Sequence, residues 1–337
     1  ENIMRIAING FGRIGKLVLR AFLEKKIKNV EVVAINELGD IDSSYHLLKF
    51  DSVHGIIPSN ITKNKYGIKA GNNNIKFFSE RDPNNLPWKQ LNIDIVLECS
   101  GVFTSKEKAI SHINAGAKKV IISAPASNVD KTIVQGVNNK QLNKSHSIIS
   151  NGSCTTNCLA PLAMVLNKGL GIETGFMTTI HSYTGDQKTV DQTHKDLRRA
   201  RAAAESMIPT STGAAKALSL VLPVLKGKLD GTAIRVPTPN VSLIDFTFTS
   251  KKRTSADKIN TIVKKASKSK ELKNILTINE LPLVSVDFNH NSSSSIFDAT
   301  QTYVIKDKFC RVLSWYDNEW GFSNRMIDTM LDLRKYI

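Results

Sequence analysis

The sequence predicts an α/β protein, with a doubly wound parallel sheet in the first half and an α+β unit with a mostly antiparallel sheet in the second. Up to about residue 150, short apolar runs typical of buried strands alternate with helical patterns, the order that βαβ units produce. Beyond about residue 152, longer strand-like runs are separated by fewer helices, as in antiparallel sheets with helices on one face. The length of 337 residues suits roughly two domains.

In the first half the predicted strands are IMRIAI, VEVVAIN, DIVLECSG, KKVIIS and SIISN. The apolar spacing between them predicts helices from Arg13 to about Glu24, around Tyr45 to Phe50, and from Lys106 to Ala115. Between Pro58 and Trp88 the pattern breaks into the short pieces YGIKA and NIKFF with Gly and Asn turns. This stretch predicts a hairpin that interrupts the sheet without ending the domain.

The second half contains four long runs that predict strands: GIETGFMTTIHSYT, AIRVPTPNVSLIDFTFTS, PLVSVDF and FCRVLSWY. The basic stretch KKRTSADKINTIVKKASKSKELK predicts a helix with a solvated outer face, because apolar residues recur at helical spacing at Ile259, Ile262, Val263 and Ala266. The C-terminal stretch NEWGFSNRMIDTMLDLRKYI predicts an amphipathic helix with apolar residues at Phe322, Met326, Ile327, Met330, Leu331 and Leu333.

The charge, the cysteine content and the hydropathy of the sequence limit the kinds of partner and the cellular compartment that we expect. The 46 Lys and Arg against 30 Asp and Glu give a net charge of +16, which favours either nucleic acid or small anionic ligands. The basic strands interleaved with aromatic residues that an RNA-binding sheet uses are missing, so we expect no specific nucleic acid partner. The four cysteines include no Cys-x-x-Cys pair, which indicates a reducing compartment. Without a leader-like N-terminus or a run of about 18 apolar residues, we expect a soluble cytoplasmic protein with no membrane partner.

A glycine-rich turn follows the first predicted strand. In NGFGRIG, Gly10, Gly12 and Gly15 form Gly-x-Gly-x-x-Gly between strand RIAI and the start of a helix. The first glycine permits the tight turn, the second lets backbone N–H groups approach a pyrophosphate, and the third allows close packing of strand and helix. Glu37 follows the second strand at the spacing expected for an acid that binds the ribose hydroxyls, the alternative being a solvated loop residue. The pattern predicts a Rossmann-type dinucleotide site.

In SIISNGSCTTNCLAPL a thiol, Cys154, lies at the predicted start of a helix. The helix N-terminus stabilises a thiolate, and a pKa lowered from about 8.5 to about 6 would make Cys154 a nucleophile at neutral pH. We interpret Cys158, one turn further, as a small core residue, and Cys99 and Cys310 likewise. A thiolate needs a base, and His181 lies where a predicted strand enters a glycine-containing loop. We assign no metal ligands.

Several hydroxyl and cationic side chains near these two residues suit phosphate groups, although each alone could be a cap or turn residue. They are Thr155, Thr156, Thr184, Thr212 with Gly213, and Arg235.

Seven motifs together resemble the phosphorylating glyceraldehyde-3-phosphate dehydrogenases: INGFGRIG, SCTTNC, HSYTGDQ, HKDLRRARAAA, PTSTGAAKA, RVPTPNVS and SWYDNEWGFSNRM. They occur in the family's order over nearly the whole chain. The resemblance implies oxidative phosphorylation of D-glyceraldehyde 3-phosphate to 1,3-bisphosphoglycerate with NAD and inorganic phosphate, through a hemithioacetal and thioester at Cys154 with His181 as the base. It implies a homotetramer, and a C-terminal helix, 318–337, that completes an NAD-binding domain of residues 1–152 beside a catalytic domain of residues 153–317.

The resemblance also implies individual roles. The substrate's own phosphate would be held by Thr184 and Arg235 with Arg199 nearby, and the attacking phosphate by Ser153, Thr155, Thr212 and Gly213. For the cofactor, the matching residues are Arg13 and Ile14 at the pyrophosphate, Ser123 in the NAD site, and Asn318 at the nicotinamide carboxamide.

Two alternatives concern the substrate and the cofactor. LPLVSVDFNH is also similar to erythrose-4-phosphate dehydrogenases, but that branch departs from the SYTGDQ and STGAA motifs present here.

The charge of Glu37 favours NAD over NADP, whose 2'-phosphate it would repel. Gln192 and Thr193 replace a Leu-Pro pair common in NAD-specific relatives, and the Thr193 hydroxyl could donate to a 2'-phosphate from a neighbouring subunit. A neutral loop substitution is the other interpretation. We therefore predict NAD as cofactor with weaker NADP activity.

Overall fold

The computed structural model describes residues 3–337 and divides into two compact units. The first unit comprises the chain up to Ile133 together with Asn139–Gly152 and Ser323–Ile337, and the second comprises Val134–Asn138 and Ser153–Phe322. Each unit has its own sheet and its own core of buried apolar side chains. The predicted fold class, a parallel-rich sheet followed by a mostly antiparallel one, is confirmed.

In the first unit, strands and helices alternate along the chain. The helices are α1 (Arg13–Glu24), α2 (Ile41–Lys49) and α3 (Lys106–Asn114), with short 3-10 helices at Pro83–Asn85, Asn139–Gln141 and Arg334–Tyr336. The strands are β1 (Met4–Asn9), β2 (Val30–Asn36), β3 (Phe50–Asp51), β4 (Gly55–Ile56), β5 (Ile61–Asn64), β6 (Gly67–Ala70), β7 (Asn73–Phe78), β8 (Ile95–Glu98), β9 (Lys119–Ile122), β10 (Lys131–Thr132) and β11 (Ile148–Ser150).

Over the described residues, this unit's main sheet has the order β10-β11-β9-β8-β1-β2-β7-β6-β5. The pairs from β10 to β7 are parallel, and only β7-β6 and β6-β5 are antiparallel. The carboxyl ends of β1, β2, β8 and β9 therefore meet at one edge, where ligands of open α/β sheets bind. The predicted hairpin forms, but it extends the sheet instead of interrupting it, because β7 pairs with β2.

The second predicted helix was wrong at its N-terminal end. α2 begins at Ile41, four residues earlier than predicted, because the Asp40 side chain accepts a hydrogen bond from the Ser43 N–H at 2.7 Å and caps the helix. Its first turn is polar, so apolar spacing alone does not mark it. Phe50 belongs to β3 and not to the helix.

The second unit contains α4 (Cys154–Leu170), α5 (Ala214–Val221) and α6 (Ala256–Ser267), with 3-10 helices at Pro223–Leu225, Ser285–Phe288 and Ala299–Gln301. Its strands are β12 (Ile172–Ser182), β13 (Ile208–Thr210), β14 (Leu229–Val236), β15 (Ser242–Ser250), β16 (Leu276–Asn279), β17 (Ser295–Asp298), β18 (Tyr303–Ile305) and β19 (Phe309–Tyr316). They form a sheet of order β13-β14-β12-β15-β19-β17-β16, with β18 paired to β19. The β12-β14 and β16-β17 pairs are parallel and the others antiparallel.

Two predicted strands of this half need correction. PLVSVDF is not a strand: the Asp287 carboxylate accepts the Val284 N–H at 2.8 Å and closes a turn, and Ser285–Phe288 forms a 3-10 helix. AIRVPTPNVSLIDFTFTS forms two strands, β14 and β15, because Pro237 and Pro239 between them have no N–H to donate to a ladder.

Two predicted helices are confirmed. α6 buries Ile259 and Val263 and leaves its lysines solvated, as the basic pattern predicted. The C-terminal helix, α7, runs from Trp320 to Leu333 and is buried on more of its surface than a simple stripe. From Ser323 onward it belongs to the first unit, where Thr329 donates to the Asn151 side chain at 2.8 Å. Within residues 3–337, no helix is long and apolar enough to cross a membrane.

Candidate active site

A cysteine begins the long helix of the second unit. The Ser153 hydroxyl accepts the Thr156 N–H at 3.0 Å and caps α4, so that Cys154 is the first helical residue. Its thiol is therefore held at the positive end of a helix of 17 residues. Cys158, one turn on, is fully buried and packs in the core of this unit, as predicted.

A histidine from the central strand faces the thiol. His181 is the penultimate residue of β12, and its Nε2 lies 3.4 Å from the Cys154 Sγ. The imidazole is nearly fully buried. Parallel pairing of β12 with β14 sets His181 beside Arg235 in register. The fold thus brings together a thiol, an imidazole and a guanidinium that are distant in sequence.

The Nδ1 atom of His181 has two competing partners. It lies 2.7 Å from the Ser182 carbonyl oxygen and 2.6 Å from Arg235 Nη1, which also donates to that carbonyl at 3.0 Å. A neutral imidazole can either donate from Nδ1 to the carbonyl or accept there from the guanidinium. In the first case Nε2 presents a lone pair to the thiol, which is the arrangement that a general base requires.

The electrostatics differ from the sequence-based prediction. Burial raises the pKa of the Cys154 thiol, although the Arg235 charge opposes this shift. Burial, together with the Arg235 charge, lowers the pKa of His181 to about 3. The expectation of a thiol pKa depressed to about 6 is therefore wrong, because desolvation outweighs the Arg235 charge and the hydrogen bonds from the start of the helix.

This result predicts the pH dependence of thiol reactivity. Only the thiolate is alkylated, and a raised pKa means that the thiolate fraction still grows with pH above neutrality. We expect the rate of alkylation of Cys154 by iodoacetamide to rise steadily from pH 6 to pH 9. Mass spectrometry of the peptide that contains Cys154 measures this rate. Buried Cys158 is the internal control. A rate that is already constant below pH 7 would contradict the raised pKa.

Other predicted phosphate-binding side chains lie on loops of the same unit. Thr184 follows β12 and its N–H donates to the Gln187 side chain at 2.9 Å. Arg199 donates to Thr210 at 2.8 Å and to the Asp186 carboxylate at 2.6 Å. Because Arg199 is already paired with an acid, a phosphate would have to compete with that contact.

Thr212 and Gly213 precede α5, where Gly213 is the N-cap without a side-chain hydrogen bond. Thr212 accepts the Ala214 N–H at 3.2 Å. Backbone N–H groups at such a helix start favour an anion.

Tyr316, which the sequence analysis does not identify, contacts residues on both sides of the Cys154–His181 pair. The Tyr316 hydroxyl, fully buried at the end of β19, lies 2.8 Å from Thr155 Oγ1 and 2.7 Å from Thr179 Oγ1. Its ring packs edge-on to the His181 imidazole, with centroids 5.9 Å apart. The signal available in the sequence was a tyrosine at the end of a mostly apolar strand, whose hydroxyl must find partners when buried.

The glycine-rich turn of the first unit fits a dinucleotide. Gly10 has a φ of +85°, and a Cβ there would lie 2.5 Å from the Ser100 backbone. A Cβ on Gly15 would lie 2.1 Å from the Gly10 carbonyl oxygen, whereas one on Gly12 would meet open space. Gly12 is the N-cap of α1 and offers no side-chain cap, which leaves the helix start open for a pyrophosphate.

The remaining predicted cofactor residues lie beside this turn, after β9 or after β19. The Glu37 carboxylate accepts from the Phe11 N–H at 2.6 Å and the Gly39 N–H at 3.1 Å. Ser123 follows β9, with its N–H donating to the Glu98 carbonyl oxygen at 2.9 Å. The Arg13 guanidinium pairs with Asp51 at 2.6 Å, so Arg13 offers a pyrophosphate chiefly its backbone. Ile14, half-buried, is the second residue of α1, and Asn318 lies in the second unit after β19.

Comparison with known proteins agrees with these features. The model of the NAD binding domain of glyceraldehyde 3-phosphate dehydrogenase matches residues 4–106, and that of its C-terminal domain matches residues 153–318. The chain is 58% identical over 332 residues to the glyceraldehyde-3-phosphate dehydrogenase of Xanthobacter flavus, covering 98% of this chain and 99% of the relative. The enzyme of that name from Cereibacter sphaeroides is 53% identical, with 99% of each chain covered. The corresponding values for Zymomonas mobilis subsp. mobilis are 52% identity with 98% and 99% coverage.

Proposed function

Because the chain belongs to the glyceraldehyde-3-phosphate dehydrogenase family, we propose that it converts D-glyceraldehyde 3-phosphate to 1,3-bisphosphoglycerate with NAD and inorganic phosphate. The observation that carries this proposal is the 3.4 Å approach of His181 Nε2 to Cys154 Sγ at a helix start. The test is NADH formation from glyceraldehyde 3-phosphate with and without inorganic phosphate. Turnover independent of phosphate would contradict the phosphorylating reaction.

The first step forms a covalent bond to the enzyme. Cys154 Sγ attacks the aldehyde carbon, and its proton passes to His181 Nε2 and then to the carbonyl oxygen, which gives a hemithioacetal. Backbone N–H groups at the start of α4 stabilise the negative charge that develops on this oxygen. Because burial raises the pKa of the Cys154 thiol, transfer of its proton to His181 accompanies the attack.

In the second step His181 Nε2 removes the hydroxyl proton of the hemithioacetal as the hydride departs, leaving a thioester. NAD, when bound, supplies the acceptor for that hydride. A proton on Nδ1, donated to the Ser182 carbonyl, keeps the Nε2 lone pair available. Phosphate then attacks the thioester carbon, the C–S bond breaks, and the leaving thiolate takes up the proton held on His181 Nε2.

We assign substrate binding by the same reasoning. Thr184 and Arg235, with Arg199, hold the phosphate of the substrate, and the attacking phosphate lies against Ser153, Thr155, Thr212 and Gly213. Cofactor binding falls to the glycine turn with Arg13 and Ile14, to Glu37, to Ser123 and to Asn318. Residues 1–152 with 318–337 act as the NAD-binding domain, and residues 153–317 as the catalytic domain.

Arg235→Ala should impair turnover of glyceraldehyde 3-phosphate about tenfold to a hundredfold more than turnover of unphosphorylated glyceraldehyde. The reason is that a charge-assisted hydrogen bond to phosphate contributes roughly 1.5 to 3 kcal/mol. The measurement is kcat/KM on both aldehydes. Arg201→Ala, which removes an exposed arginine paired with Asp191, is the matched control. An equal loss on both substrates would make Arg235 a structural residue.

The cofactor preference gives another prediction. The Glu37 carboxylate is fixed by two backbone N–H groups and would repel a 2'-phosphate by ~4 kcal/mol at 4 Å and an effective dielectric of 20, less where water screens the charges. We expect a preference for NAD with measurable NADP activity, and a selective loss of the NADP rate in Thr193→Pro. Steady-state kinetics with both cofactors test this, and wild type without NADP turnover would contradict it.

The homotetramer and the cytoplasmic location belong to the same proposal. Exposed apolar side chains on the loop after β12, including Val190, Leu197 and Met207, suit burial between subunits. Light scattering of the purified protein measures the subunit number directly.

The relatives compared above carry the name glyceraldehyde-3-phosphate dehydrogenase, which favours that enzyme over the erythrose-4-phosphate alternative.

A further inference from the structure

We propose that Ser242 is a positioning residue that fixes which end of the Asn318 side-chain amide is presented to the cofactor. This inference rests on the proposed role of Asn318 at the nicotinamide carboxamide. Ser242, the first residue of β15, is fully buried, and Asn318 is nearly so. Ser242 has no role in the reaction steps proposed above.

The direction of two hydrogen bonds decides the orientation of the amide. The Ser182 N–H donates to Ser242 Oγ at 3.0 Å, and Ser242 Oγ lies 2.8 Å from Asn318 Oδ1. The Ser182 N–H donates to the serine oxygen, and the serine proton is directed to Asn318 Oδ1. The atom of Asn318 that receives this proton must be the carbonyl oxygen. Its NH₂ group is therefore directed away from Ser242 as a donor for an acceptor on the ligand.

The backbone beside Ser242 is strained in a way that fixes its position. Val241 has a φ of +70°, which is rare for a β-branched residue and persists only where the surroundings impose it. The surroundings here are specific. The Val241 side chain is buried against Phe288 and Ile296, and its carbonyl oxygen accepts the Ser182 hydroxyl at 2.8 Å. Ser182 thus binds the chain on both sides of the Val241–Ser242 peptide.

The same Ser182 residue also holds the proposed base. Its carbonyl oxygen lies 2.7 Å from His181 Nδ1, while its N–H is bound to Ser242. The Ser242 hydroxyl therefore connects Ser182, which orients the His181 imidazole, to Asn318, which would donate to the carboxamide of the cofactor. Loss of this hydroxyl would release the Asn318 amide to rotate by 180°.

The test compares two ligands that differ only in the carboxamide. NAD offers a carbonyl oxygen and an NH₂ group, whereas 3-acetylpyridine adenine dinucleotide keeps the oxygen and replaces the NH₂ with a methyl group. Dissociation constants from calorimetry give a readout that is independent of turnover. A fixed donor at residue 318 serves both ligands, but a rotated amide can find a partner only in NAD.

For Ser242→Ala we expect weaker binding of both ligands, with the ratio of the analogue's Kd to that of NAD rising about 3- to 10-fold, the range of one neutral hydrogen bond. Ser295→Ala deletes a fully buried hydroxyl elsewhere in the same sheet, 2.7 Å from Ser314 Oγ, so its ratio should equal that of wild type. Ser242→Thr, which keeps the hydroxyl, should restore the wild-type ratio. An unchanged ratio in Ser242→Ala would overturn the inference.

A double-mutant cycle separates this inference from the role of Asn318 itself. If Ser242 acts through Asn318, adding Ser242→Ala to Asn318→Ala should change neither Kd further. Full additivity of the two substitutions would overturn the inference while leaving Asn318 as a cofactor residue. If Asn318→Ala alone binds NAD and the analogue as wild type does, the proposed role of Asn318 fails and the positioning role of Ser242 fails with it.

Discussion

Replacing Cys154 by serine is expected to reduce turnover of glyceraldehyde 3-phosphate to nearly nothing while leaving NAD binding unchanged. The reaction needs a nucleophile that forms a thioester, and a serine hydroxyl with a much higher pKa provides neither the anion nor an equally reactive acyl intermediate. Even the cysteine must be deprotonated against the cost of burial, so an alcohol at this position is at a greater disadvantage. The measurements are kcat with saturating substrates and the Kd of NAD.

Cys158→Ser is the matched control for this experiment. The two cysteines lie one turn apart on α4, but the Cys158 thiol is fully buried, 3.5 Å from the Ser295 hydroxyl, and packs in the core. Its substitution should retain most of the activity and cost some thermal stability, because a polar group replaces a small apolar one. Equal loss of activity in the two variants would contradict the assignment of Cys154 as the only nucleophile.

The second large effect is expected for His181→Asn, which should slow hydride transfer by about a hundredfold or more, the range that general base catalysis supplies. The imidazole is neutral over the working pH range, since its pKa is lowered to about 3, so its Nε2 can accept a proton throughout. Asparagine keeps a polar group of similar reach but has no comparable basicity. Stopped-flow measurement of the NADH burst isolates this step from product release.

Alkylation of Cys154 in His181→Asn distinguishes the two roles of the imidazole. Because burial raises the pKa of the thiol and His181 Nε2 lies 3.4 Å from Sγ, loss of the imidazole should also slow reaction with iodoacetamide. If hydride transfer slows but alkylation does not, His181 acts only on the hemithioacetal. If neither changes, the base is another group.

The features predicted best from sequence are those that local spacing determines. The glycine turn, α1 and strand β2 follow from patterns within a few residues, and their bounds agree with the prediction. Cys154 and His181 were singled out from their places at a helix start and a strand end, and the fold brings their side chains together. α2 was missed at its start because Asp40 and Ser43, and not apolar spacing, define its first turn.

What could not be predicted depends on packing between distant segments. Tyr316 lies 161 residues from Thr155 in the chain, so no local pattern connects their hydroxyls. The direction of the Cys154 pKa shift follows from burial, which the helix-start argument does not contain. In PLVSVDF the alternating pattern suits a strand, and only the Asp287 side chain, which closes the turn onto Val284, decides otherwise.

The parallel pairing of β12 with β14 has a consequence for how specificity can evolve. His181 and Arg235 are 54 residues apart, yet their spacing is set by a continuous ladder from Gly175–Leu229 to Ser182–Val236. The intervening loop, residues 183–207, contributes nothing to that ladder and exposes much of its surface. Under the proposed function, mutations there would alter recognition of cofactor, substrate or neighbouring subunits while the distance between imidazole and guanidinium stays constant. Selectivity can therefore change by mutation of this loop while the geometry of the reacting residues is kept.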